Sequence, residues 1–205
     1  MTVLYRLAAD AAAIARHFGA AVGADPWSGG TIAPGQFAPV LTTGREFVAG
    51  PRSERQPLRM IPRLWGVPPP PSAFDAGRGV LSVRNVDSPF WIGNLRNSEF
   101  RCLVPATAVM AWGRIDPANG KRRQLWLAPP HQPLFALAGV WKDSEVPSFA
   151  LLTCEPNAVW RDAGHSAMPV ILPGDPGAWQ TWLRAEWQRA ATLLMPYPSS
   201  EIAAL

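Results

Sequence analysis

Cysteine, histidine and lysine are all scarce in this chain of 205 residues, which holds two, three and two of them. Two cysteines cannot build a disulfide framework or a four-cysteine zinc site, so no metal and no cofactor are expected. Cys102 and Cys154 lie in apolar segments, where small buried hydrophobes are the expected role. No apolar run reaches the roughly 18–20 residues that a membrane helix needs, so no spanning segment is expected. The start of the chain lacks a basic n-region, a long apolar h-region and an A-x-A site, which makes the cytoplasm the expected location. G-x-G-x-x-G, Walker A, H-E-x-x-H and G-x-S-x-G segments are all missing, so nucleotide-fold, zinc-protease and hydrolase readings have no motif behind them.

What is abundant is tryptophan, arginine and proline. Ten Trp and eight Phe within a 48% hydrophobic composition supply a large core and exclude intrinsic disorder. Arginine provides 17 of the 19 basic residues, and the formal charge of +4 is mild but favours an anionic partner. Twenty-three prolines, about twice the usual share, predict short elements joined by stiff loops. Strands are predicted at 3–7, 37–42, 46–49, within 58–67, at 80–83, within 100–112 (broken at Pro105), and at 124–127, 134–141, 149–154 and 168–172. Asp10 and Gly19 bracket a first helix, Pro156 opens a second at its first position, and Asp175-Pro176 starts a third near 178–189. Residues 26–35 read as a loop. The block Pro68–Pro71 is not taken as a linker, because the apolar pattern resumes at Val80. These elements describe an α+β domain spanning 1–205, with a curved or barrel-like, mostly antiparallel sheet and short peripheral helices.

Two groups of residues can carry chemistry. His165 follows a helix through Gly164 and precedes Met168-Pro169-Val170-Ile171-Leu172, which puts an imidazole at the mouth of a buried strand. His17 and His131 read as surface residues. Trp65, Trp91, Trp112, Trp126 and Trp141 sit near strand ends, interleaved with Arg59, Arg63, Arg84, Arg96, Arg101 and Arg114. Rings and guanidinium groups in alternation are how proteins grip single-stranded nucleic acid. The alternative is that these tryptophans are core.

The blocks Phe100-Arg101-Cys102-Leu103-Val104-Pro105-Ala106, Ala138-Gly139-Val140-Trp141 and His165-Ser166-Ala167-Met168-Pro169-Val170-Ile171-Leu172 resemble the SOS response-associated peptidase (SRAP) family. Ile32-Ala33-Pro34-Gly35, Ala38-Pro39-Val40 and Trp65-Gly66-Val67-Pro68 fit the family in the same order. The resemblance implies a groove for single-stranded or abasic DNA, with Arg84, Trp65, Trp112 and Pro39 on the DNA side. It also implies shielding of abasic sites: an N-terminal cysteine exposed by loss of Met1 forms a Schiff base through its amine and closes a thiazolidine through its thiol. An asparagine, a glutamate and a histidine surround that nucleophile in the family and serve the self-removal of the leader.

This chain departs from the pattern at its centre. It begins Met1-Thr2-Val3 where the family has methionine-cysteine-glycine; Ser82-Val83-Arg84-Asn85-Val86 keeps only the arginine of the asparagine-alanine-arginine-alanine-glutamate segment; and Ala111 replaces the glutamate before Trp112. Ala167 stands in place of a basic residue, and His165 remains. A hydroxyl is scarcely ionised at neutral pH, so Thr2 is a far poorer nucleophile than a thiol of pKa about 8.5. Three expectations follow: a monomeric DNA-binding protein unable to form the stable cross-link; an enzyme that attacks an abasic aldehyde through the Thr2 α-amine (pKa about 8) with help from His165; or a scaffold that kept the fold and binds a protein partner.

Overall fold

The computed structural model describes residues 4–21, 27–43, 57–70 and 79–205. Thr2, the predicted strand at 46–49 and Pro71 lie outside these residues. The elements are β1 (Tyr5–Leu7), α1 (Ala11–Phe18), β2 (Gly30–Ile32), β3 (Phe37–Thr42), β4 (Arg59–Trp65), β5 (Ser82–Val83), α2 (Ile92–Arg96), β6 (Arg101–Ala106), β7 (Ala108–Ile115), β8 (Arg122–Ala128), β9 (Phe135–Lys142), β10 (Ser148–Cys154), α3 (Ala158–Asp162), β11 (Met168–Pro169), α4 (Pro176–Arg184), α5 (Trp187–Ala191) and β12 (Ala203–Ala204).

Five strands close on themselves. The order β10-β4-β3-β6-β9 returns to β10, and only the β4–β10 step is parallel. A second sheet, β12-β8-β7-β1-β2, packs beside this barrel. Tyr5 of β1 is fully buried, with its ring edge-on to Trp65 of β4 at 5.2 Å, so one aromatic pair joins the two sheets. The chain crosses from barrel to second sheet at Thr107, whose amide donates to the Arg6 carbonyl. Pro105, predicted as the break, lies inside β6 opposite Ala136. Pro39 and Pro62 face each other across β3 and β4. Neither has an N–H to give, so this register point is of the kind that needs no ladder bond.

The barrel is tight enough to demand glycine. A Cβ on Gly139 would lie 2.7 Å from Val104 Cγ2 and 2.8 Å from Cys102 Sγ. Outside the barrel, α4 packs on β6: Trp182 Nε1 donates to the Cys102 carbonyl at 2.9 Å, and the Arg101 guanidinium covers the Trp182 ring and donates to the Ala185 carbonyl. Capping explains the helix starts. Asp10 and Asp175 accept from Ala13 N and Ala178 N, and Gly19 ends α1 at φ 66°. α3 is capped by Asn157, which displaces Pro156 from the predicted first position, and the predicted helix near 178–189 is two helices parted at Ala185 and Glu186.

β10 positions everything that follows. One of its edges is served first by β4 and then by β5, the registers being Phe149↔Trp65 and Leu152↔Val83. Its other edge pairs with β9 through Leu151 and then passes to β11, which enters between β9 and β10. Val170 N donates to Leu152 O, and Val170 O accepts from Ala138 N. Gly139→Ala is expected to lower stability by about 1–3 kcal/mol through overpacking, read as a fall in the urea midpoint at unchanged slope.

Candidate functional site

Two hollows meet at Ser166, on the loop between α3 and β11. The first is lined by Trp65, Leu81, Ser82, Arg84, Leu151, Thr153, Ala167, Met168 and Pro169, so it sits between β5, β10 and β11. The second is lined by Trp112, Gly113, Arg114, Ile115, Arg122 and His165, at the foot of the β7–β8 hairpin. Ser166 lines both.

His165 reaches its place because Gly164, at φ 90°, turns the chain back after α3 while His165 N donates to Trp160 O. Its Nε2 lies 2.8 Å from the Trp112 carbonyl oxygen. A carbonyl only accepts, so Nε2 carries the proton and Nδ1 the lone pair. Burial lowers the imidazole pKa from its usual value, partly opposed by the Trp112 carbonyl. The ring is therefore neutral at physiological pH and suited to accept a proton.

The hairpin brings a cluster of cations to this ring. Between Trp112 and Ile115 the β7–β8 register shifts, leaving β7 one residue longer than its partner. Such bulges re-aim side chains. Here Arg114 turns onto α3, with Nε 2.5 Å from the Asp162 carbonyl. Lys121 and Arg122 are exposed beside Trp112. The nearest carboxylate of the hairpin, Asp116, is occupied with Ala118 N and Asn119 Nδ2 in the turn. At the rim of the first hollow, Arg84 is 53% exposed and pairs at 3.0 Å with Glu155, itself exposed. Two solvated charges at this distance are weakly held, and an anion can displace the carboxylate.

The residues singled out by sequence separate into three places. His165 and Trp112 share a hollow, with Trp112 half-buried. Arg84 and Trp65 share the neighbouring one, but Trp65 is only 1% exposed and its indole donates to the Leu81 carbonyl. Trp65 is floor and core, with no open face for stacking. Pro39 is buried and borders a third hollow with Trp27, Phe37 and Pro62. The interleaved Arg and Trp residues pair inside the protein: Arg63 lies over Trp141 at 4.7 Å and Arg101 over Trp182. Arg101 is fully buried, which lowers its pKa to about 10, against the opposing pull of Glu186. Neither can grip a strand. Thr2 lies outside the described residues, though Leu4 O accepts from Met110 N, two positions from Trp112 on β7. Sequence reasoning missed Ser82, Thr153 and Ser166, and also Lys121-Arg122. The last had a signal: a basic run that begins directly after the turn glycine Gly120.

Barrel, flanking sheet and paired hollows define an α+β protein whose basic hairpin stands over a neutral histidine. The family model for "SOS response associated peptidase (SRAP)" matches residues 1–205, and the chain belongs to that family. An abasic site processing protein of Bacillus subtilis, YoqW, is 28% identical over 111 residues, covering 51% of this chain and 48% of that protein. Its counterpart in Bacillus phage SPbeta matches equally. The chain thus spans about half the length of the curated relatives it matches. Among solved structures, a protein from Bordetella bronchiseptica is similar with a TM-score of 0.74 at 21% identity, covering 98% of this chain and 97% of that one. One from Bacteroides thetaiotaomicron reaches 0.75 at 19% identity, covering 98% and 90%. Both share the fold. Among the described residues no group of three or more His, Cys, Asp or Glu could hold a metal, and no helix is long and apolar enough to cross a membrane.

The lowered pKa of His165 makes a prediction about acid. The folded state binds its proton less readily than the unfolded one, so stability falls as pH drops through the window below 6.5. Urea unfolding at about pH 7.5 and about pH 5.5 checks this: the loss is expected to shrink in His165→Gln.

Proposed function

We propose that this chain is a single-stranded and abasic DNA-binding protein of the DNA damage response, cytoplasmic and monomeric, that cannot make the lasting thiazolidine cross-link. The observation that carries the reading is the meeting of the two hollows at Ser166, with Arg84 at one rim, Arg114 and Arg122 lining the other, and Lys121 beside Trp112 and Arg122 just beyond it. Cations spaced along a trough follow a phosphate backbone, and the half-buried Trp112 offers a ring between them. Family membership and the similarity to YoqW, an abasic site processing protein, support the abasic reading. Neither cysteine can close a thiazolidine, because Cys102 and Cys154 are internal and their own nitrogens are tied up in peptide bonds; as free thiols they are poor nucleophiles as well. Cys102 is fully buried with its pKa raised by desolvation, and Cys154 is buried with its pKa raised to about 11.

Fluorescence anisotropy with a single-stranded oligonucleotide tests the binding. Affinity is expected to fall steeply with salt, and Arg84→Ala and Arg122→Ala are each expected to flatten the log–log salt slope by about 0.7, one phosphate contact on a single strand. Binding that is absent at low salt refutes the proposal.

A second reading has its own observation. Leu4 is bonded to Met110 and His165 to Trp112, which brings the start of the described chain near a neutral imidazole. In this reading the Thr2 α-amine condenses with an abasic aldehyde, losing water to form an imine. Borohydride is expected to trap a covalent adduct on abasic DNA that is diminished in His165→Gln. No trapped adduct means no such chemistry.

A further inference from the structure

We propose that the hollow beside Arg84 takes an unpaired nucleobase, so that the protein engages an intact nucleotide in this place rather than only a baseless sugar. The inference rests on the DNA-binding reading above and extends it to what the trough selects.

The cavity encloses about 110 Å³ and is the more closed of the two that meet at Ser166. Its walls are unequal in chemistry. Leu81, Leu151, Met168, Pro169 and the edge of Trp65 are apolar, whereas Ser82, Thr153 and Ser166 supply hydroxyl groups. Thr153 Oγ1 is anchored on the Val83 carbonyl at 3.1 Å, which ties the polar side to β5. Arg84, directly after β5, stands at the rim and pairs with the exposed Glu155. An apolar slot with a few polar groups at one side and a displaceable cation outside it suits a flat heteroaromatic ring joined to a phosphate. It suits a bare deoxyribose less well. That sugar is smaller than a base and has no flat ring face to lay against the apolar side of the cavity at Leu81. The place is also built rather than incidental: it exists because β10 is flanked by β5 on one edge and β11 on the other at this level.

The test uses the full chain and two strands of equal charge. One is an eight-unit strand of tetrahydrofuran phosphates; the other carries a single 2-aminopurine at its centre. The lone base is expected to tighten binding by about tenfold, a stacking-sized gain for one ring. Its fluorescence is expected to be shielded from acrylamide. Ala167→Phe, which adds a ring to the cavity wall, is expected to cancel the gain. No gain from the base, or a base as open to acrylamide as in the free strand, overturns the proposal. So does a gain that survives in Ala167→Phe, because the base would then be stacking elsewhere, as on Trp112. Should neither strand bind in a salt-sensitive way, the DNA-binding reading itself falls and this inference with it. The unaltered protein supplies the first two readouts, so a misfolded variant cannot mask the answer.

Discussion

The closure of the barrel at β10 is the constraint on which the rest depends. A five-stranded ring leaves no edge, but β10 is longer than the span over which β4 and β9 can both serve it. Beyond Leu151 its amides and carbonyls need new partners, since a buried backbone group without one costs several kcal/mol at most and about 1–3 at least. β5 answers on one side and β11 on the other. Each is only two residues long, and each is followed or preceded by the side chains that face the trough: Arg84 after β5, His165 and Ser166 before β11. The site is thus a by-product of finishing a strand.

Much of this frame could be read in advance from particular residues. Asp10 and Gly19 bounded α1 because capping is local chemistry, settled within four residues of the cap. Phe37–Thr42 appeared in full as β3, bounded by turn residues on either side. β2 was hidden, since Gly29, Gly30, Pro34 and Gly35 spell a loop; it is a strand only because β1 offers it an edge. α2 and β12 were too short to show a period, and their existence depends on packing that no window of sequence contains.

The site was legible in part. His165 could be placed at the mouth of a strand because Gly164 signals a helix end and the apolar run signals burial. The tryptophan and arginine pattern misled about direction. Spacing along the chain cannot tell whether a guanidinium stacks on an indole inside the protein or stands in water, and here Arg63 and Arg101 do the former. Their long apolar stems make that possible. A composition counted as +4 therefore describes the surface only loosely.

The burial of both thiols has a bearing on conditions of oxidative stress. Peroxide attacks thiolate, and a group that is desolvated and hard to ionise presents almost none. Both cysteines being buried, neither offers a sulfur on which a sulfenic acid or mixed disulfide would readily form.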